Sequence, residues 1–89
     1  MITGKTQSGF EFSIEKDRLD NMELLDELAE IDAGNVAAIS RASTLLLGKE
    51  QKKSLYKHLR REKGNIPIEA FVNEIADIMN EAGKQGKNS

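Results

Sequence analysis

The stretch Ile2-Thr3-Gly4-Lys5-Thr6-Gln7-Ser8-Gly9-Phe10-Glu11-Phe12-Ser13-Ile14 decides the fold class, because its apolar residues recur with a period of two. Phe10, Phe12 and Ile14 alternate with Glu11 and Ser13, the pattern of a strand buried on one face. Ser8-Gly9 supplies a turn. With Gln7, Ser8 and Gly9 as a three-residue loop and Gly9 at positive φ, Thr6 pairs with Phe10, Gly4 with Phe12 and Ile2 with Ile14. That register gathers the apolar side chains on one face and lays Phe12 over the bare Gly4. A lone hairpin is marginal in water, so this face needs helices beneath it.

Downstream the period lengthens to three and four, and glycines punctuate it. A first helix is predicted from a cap at Asp20 or Asn21 to about Asp32, with Met22, Leu25, Leu28 and Ile31 at helical spacing and Gly34 as its stop. A second, capped by Asn35, runs to about Leu47 with Val36, Ile39, Ser43 and Leu46 on one stripe and Gly48 as its end. A third runs from about Lys49 to Lys63, with Leu55, Tyr56 and Leu59 as a narrow stripe and Gly64 as its terminator. Pro67 lies just inside a fourth, whose Ile68, Phe71, Val72, Ile75, Ile78 and Met79 form the clearest amphipathic stripe of the chain and are expected to anchor the core. The expected architecture is α+β and helix-dominated, an N-terminal β-hairpin followed by about four α-helices in a single domain of residues 1–82. Residues 83–89 offer no apolar side chain to bury and carry two glycines, so a flexible tail is expected there.

At 89 residues the chain has the length of one domain, which buries roughly 60 to 65% of its unfolded surface and leaves little room for a deep substrate cavity. Charged residues at 31% and hydrophobic ones at 38% are a globular balance, so the chain is expected to fold alone. The absence of cysteine excludes disulfides, thiolate catalysis and Cys-based zinc or iron–sulfur sites, and fits a reducing cytoplasm. Met1-Ile2-Thr3-Gly4-Lys5-Thr6 has no apolar run of signal-peptide length, and no window approaches the roughly 18 apolar residues of a membrane span, so neither secretion by that route nor membrane embedding is expected.

Net charge is only −2 but it is polarised. From Glu11 to Asp32 nine acids face two bases, a balance of −7, whereas from Lys49 to Lys63 seven bases face two acids, a balance of +5. No catalytic, cofactor or metal site emerges from the remaining patterns. His58 sits in Lys57-His58-Leu59-Arg60-Arg61, where neighbouring cations oppose a bound metal, and reads as a surface residue. Gly48-Lys49 resembles the end of a phosphate-binding loop, but Ser43 stands where that loop needs glycine and Glu50 where it needs Ser or Thr. The cations of this helix can simply form a solvated face; as a contact face the candidates are Lys52, Lys53, Lys57, Arg60 and Arg61, either for a protein partner or, in the competing reading of a small DNA-binding regulator, for phosphates. Nucleic acid is the weaker of the two, since the whole chain is acidic, lacks Trp and has no small-residue turn between Ile39 and Leu47 to separate scaffold and recognition helices. The acidic first helix and basic third helix also offer a way for copies to dock head to tail.

The order of features is informative as a whole: Met1-Ile2-Thr3-Gly4-Lys5-Thr6 with Ser8-Gly9-Phe10-Glu11-Phe12, then Glu23-Leu24-Leu25-Asp26-Glu27-Leu28-Ala29-Glu30. After these come Leu45-Leu46-Leu47-Gly48-Lys49-Glu50-Gln51-Lys52-Lys53, Leu55-Tyr56-Lys57-His58-Leu59-Arg60, Ile66-Pro67 and the closing Gly86-Lys87-Asn88-Ser89. In this order the chain resembles, over nearly its full length, the short tail assembly chaperones of long-tailed bacteriophages and prophages of Gram-positive bacteria. The resemblance implies a noncatalytic protein in the cytoplasm of the bacterial host, without cofactors. Such a protein binds the long, aggregation-prone tape measure protein, keeps it extended while major tail protein polymerises around it, and then leaves. It also implies a second, longer product made by ribosomal frameshifting, whose extension recruits tail protein. Gly86-Lys87-Asn88 can be encoded as GGA-AAA-AAC, which contains the slippery heptamer A-AAA-AAC.

Overall fold

Antiparallel pairing joins β1 (Ile2–Lys5) to β2 (Glu11–Ile14) with Ile2 opposite Ile14, Thr3 opposite Ser13, Gly4 opposite Phe12 and Lys5 opposite Glu11. The loop closes as its sequence predicts. The Thr6 amide donates to the Phe10 carbonyl at 2.9 Å, the Gly9 amide to the Thr6 carbonyl at 3.0 Å, and Gly9 has a φ of 94°. A Cβ added to Gly4 would lie 2.6 Å from Cζ of Phe12, so the ring rests on bare backbone. Ile2, Phe10, Phe12 and Ile14 are all buried.

The computed structural model describes residues 1–87, with side chains as far as Lys84. Among the described residues five helices follow the hairpin: α1 (Lys16–Leu19), α2 (Met22–Asp32), α3 (Ala38–Leu47), α4 (Lys49–Leu59) and α5 (Ile68–Lys87). The fold is α+β and dominated by helix. The single turn α1 is absent from the sequence reading because four residues with one apolar side chain, Leu19, show no period. It carries Arg18, whose Nη1 donates to the Leu45 carbonyl at 3.0 Å and whose guanidinium lies against Gly48.

Asn21 caps α2 as expected, its side chain accepting from the Glu23 amide at 3.1 Å. The buried stripe of α2 differs from the predicted one. Leu24 is buried and Leu28 and Ile31 are half-buried, while Met22 and Leu25 are 65% and 56% exposed. Each residue turns the helix by about 100°, so steps of three drift by about 60° and place Met22 and Ile31 on opposite sides, with Leu24 falling between Leu28 and Ile31.

The second predicted helix starts later than Asn35 for a local reason. The Gly34 amide donates to the Ile31 carbonyl and the Asn35 amide to the Glu30 carbonyl, the paired bonds of a Schellman closure with Gly34 at φ 102°. Asn35 is used in ending α2, its side chain bonds Glu30 rather than capping α3, and Val36, still in the turn, is 48% exposed.

A single residue, Gly48 at φ 80°, then turns α3 into α4. The predicted continuation of the basic helix to Lys63 fails because no apolar side chain lies between Leu59 and Ile66 to hold it to the core. Arg60 is extended, and the chain closes into a loop through Arg61 amide to Asn65 carbonyl and Gly64 amide to Arg61 carbonyl, both 2.8 Å. The last helix, α5, begins just after Pro67 and runs past Ala82, where its apolar stripe ends, to Lys87. Residues 83–87 of the predicted flexible tail are thus helical in backbone, and Asn88 and Ser89 lie outside the described residues.

At the centre of the packing is α3, whose Ala42, Ser43 and Leu46 are fully buried and which meets α1, α2, α4 and β2. Small side chains at Ala38, Ala42 and Ser43 let its neighbours approach closely, and Ser43 Oγ donates to the Ser40 carbonyl at 2.8 Å. On α5 rests β1, while α4 reaches α5 through an edge-to-face pair of Tyr56 and Phe71 at 5.2 Å. The Gln51 side chain of α4 accepts from the Ser13 amide at 2.8 Å and donates to the Ser13 carbonyl at 2.9 Å, covering the outer edge of β2. Replacing Gly4 by Ala should lower the unfolding free energy by about 1–3 kcal/mol, read from urea midpoints. The penalty should shrink in a Phe12→Leu background; an equal penalty in both would show that the ring does not rest on Gly4.

Candidate partner-binding surfaces

The fold divides the five cations of the predicted contact face. Lys53 and Lys57 stand with Lys49 along one exposed line of α4 at four-residue spacing, where Lys53 makes only a long, exposed contact with Glu50 at 4.0 Å. Arg60 and Arg61 follow in the loop, both exposed, with Arg60 Nη1 donating to the Gly64 carbonyl at 2.7 Å. Lys52 turns the other way. Its Nζ donates to the Ser40 carbonyl at 2.8 Å, Thr44 Oγ1 at 3.0 Å and Ser40 Oγ at 3.1 Å, and lies 5.6 Å from the Tyr56 ring centroid. An ammonium has three hydrogens, and α3 takes all of them. Across α3 from this surface, Arg41 bridges Glu23 at 2.8 Å and Glu27 at 3.3 Å, while Asp26, Glu30 and Asp32 stay exposed.

A polar knot ties the hairpin loop to α4 and α5. Glu74 is only 7% exposed, and its Oε1 accepts from Thr6 Oγ1 at 2.6 Å and Ser8 Oγ at 2.8 Å. The Phe10 amide donates to Thr6 Oγ1 at 3.1 Å, and the Gln7 amide to Asp77 Oδ2 at 2.7 Å. His58 is exposed as expected but not free, with Nε2 3.0 Å from Ser8 Oγ and its ring 5.6 Å from that of Phe10. Because the Ser8 proton faces Glu74, His58 is the donor of its bond. A serine nucleophile is wired the opposite way, with its proton on the imidazole lone pair.

An open, mainly apolar cleft of about 670 Å³ lies between α2 and α5, lined by Leu28, Ile31, Ile39, Val72, Ile75 and Met79, with Asp77 and Asn80 at its polar side. A smaller one of about 280 Å³ adjoins it at Ile39 and runs to Tyr56, Ile66, Ile68 and Phe71. Rotation of α5 explains the opening. Glu74 faces the hairpin, and at about 100° per residue Val72, Ala76 and Met79 fall on the opposite side of the helix, while Asp77 accepts from the hairpin at Gln7 and also borders the cleft. The sequence displays these residues as one broad apolar stripe. Its width hints that the stripe serves two neighbours, but periodicity alone cannot separate a face buried by the chain itself from one left open.

Comparison of the chain with protein-family models, with curated proteins and with solved structures finds no match. Among the described residues no group of three or more His, Asp or Glu side chains is placed to hold a metal ion, and no helix is long and apolar enough to cross a membrane. The division of the cations has a measurable consequence. Lys52→Ala should cost about 1 kcal/mol or more of stability, since Ser40 and Thr44 lose a charged donor, whereas Lys53→Ala should change it by less than about 0.5 kcal/mol. Equal effects in thermal or urea unfolding would place Lys52 on the solvated face after all.

Proposed function

We propose that this chain is a noncatalytic tail assembly chaperone of a long-tailed phage or prophage, which binds the tape measure protein and helps recruit major tail protein in the cytoplasm of the host. The observation that carries the reading is the open apolar cleft between α2 and α5 beside strongly polarised surface charge. A chaperone of a long helical client needs shallow grooves with charged rims that can be used repeatedly along the client, rather than one deep pocket. Several copies on one client gain avidity from individually weak contacts. The order of sequence features from the hairpin to Gly86-Lys87-Asn88-Ser89 supports the same family.

In this reading Lys53, Lys57, Arg60 and Arg61 remain available for a second contact, with major tail protein or with the acidic α2 of another copy. Lys52 contributes to that face only through the α3 it steadies. The competing reading, a small DNA-binding regulator, draws on the exposed line Lys49, Lys53 and Lys57.

Co-expression of the untagged chain with a tagged tape measure protein from the same genome separates the two. The chaperone reading expects a stable complex and a shift of the client from the insoluble to the soluble fraction. Absence of both, together with retention on DNA that falls steeply as salt is raised, would replace it with the regulator.

A further inference from the structure

We infer that the cleft between α2 and α5 seats one amphipathic helix of the client, an apolar stripe flanked by lysine and arginine, an inference that rests on the chaperone reading above. Its first ground is the charge of the two walls. From Met22 to Asp32 and from Ile68 to Ala82 the sequence holds nine acids and no base. Arg41, on the intervening helix α3, is turned onto Glu23 and Glu27, Lys84 pairs with Glu81 at 3.3 Å and Glu74 is buried against the hairpin loop, which leaves Asp26, Glu30, Asp32, Glu69 and Asp77 without a cationic partner among the described residues. Asp32 lies one helical turn beyond Leu28, and Glu69 one turn before Val72, so each wall carries an exposed acid next to a lining residue. An anionic client helix would meet like charge on both sides, and a cationic one would find partners there.

The second ground is the lining, which is apolar apart from Asp77 and Asn80 and includes Met79, a side chain able to adapt to different apolar partners. Two recesses sharing Ile39 make a track alongside α5 from Met79 to Ile68, about 17 Å of helix axis. That length suits about three turns of an occupant whose apolar residues recur every three and four positions.

A third ground excludes the most obvious alternative occupant. The basic helix α4 of a second copy has the right charge, but its Leu55, Tyr56 and Leu59 are already committed to its own core. Its exposed side chains are Lys49, Glu50, Lys53, Ser54, Lys57 and His58, none of them able to fill an apolar cleft. A copy can touch the rim through α4, but that helix cannot fill the cleft without unfolding.

The test uses the full chain and two synthetic helical peptides of about five turns that share one leucine stripe, the first flanked by lysines and the second by glutamates. Both are titrated into methyl-labelled protein at physiological salt. The lysine peptide should bind about tenfold more tightly than the glutamate peptide, with the largest shifts at the Leu28, Ile31, Val72 and Met79 methyls. Val72→Lys, at a half-buried position where the new side chain can reach water, should weaken the lysine peptide about tenfold, and Lys53→Glu should not. Equal affinity for the two peptides, no binding, shifts centred on α4, or broadening of the cleft methyls when the protein alone is concentrated would each overturn the proposal, the last by giving the cleft to a second copy. Rescue of the tape measure protein by the Val72→Lys chain as fully as by the native one would also remove it while leaving the chaperone reading intact. Binding of the lysine peptide in the cleft without any rescue would do the reverse.

Discussion

Two hydroxyls of the hairpin loop, Thr6 and Ser8, donate to a single oxygen of Glu74, and this contact fixes how α5 is rotated against the rest of the chain. A carboxylate in an almost fully buried position is costly unless its oxygens are hydrogen-bonded, so α5 has one orientation in which Glu74 is satisfied. That orientation turns Phe71, Ile75, Ile78 and Ala82 into the core. It also carries Val72 and Met79 round to the far side, where they form a wall of the cleft with Leu28 and Ile31 opposite. The loop can deliver its hydroxyls because the hairpin register is rigid. Gly9 takes the positive φ, the Phe10 amide holds Thr6 Oγ1 in place, and Phe12 packed on Gly4 prevents a slip that would turn the apolar face outward.

Charge is handled in two ways within the same small domain. Where a cation can reach carbonyl and hydroxyl oxygens inside its own fold it is used for packing, as Lys52 is on α3 and Arg18 is on Leu45. Where it cannot, as at Lys53, Lys57 and Arg61, it stays in water. The acids of α2 divide similarly, with Glu23 and Glu27 held by Arg41 and Asp26 and Asp32 left to solvent. The surfaces left open are therefore an apolar cleft with exposed acids beside it and a separate basic edge. Two such surfaces on one domain suit the proposed role, in which a client is held on one side while a second component approaches from another.

Much of the fold is legible in the sequence wherever a local rule applies. The hairpin register follows from alternation and the Ser8-Gly9 turn, the start of α2 from Asn21, and the core stripe of α4 from Leu55, Tyr56 and Leu59. Failures occur where a residue has two possible uses, or where the outcome depends on something distant. Asn35 is a good cap by type, yet its amide is taken by the closure of α2. Lys52 and Lys53 are neighbours of identical chemistry, and only the direction each faces from α4 makes one structural and the other free. Glu74 meets Thr6 and Ser8 across more than sixty residues of chain, beyond the reach of any local pattern. The cleft is equally non-local, since its walls are the parts of α2 and α5 that the hairpin and α3 do not cover.

The most direct measurement is site-specific photo-crosslinking in cells that make the tape measure protein together with this chain, with the reactive side chain placed either at position 72 in the cleft or at position 57 on α4. If the cleft is where the client is held, position 72 yields a crosslink that maps to a helical client segment with lysine or arginine beside its apolar stripe, and position 57 yields none to that segment. Crosslinks to the client from position 57 alone would contradict this account and move client binding to the basic edge.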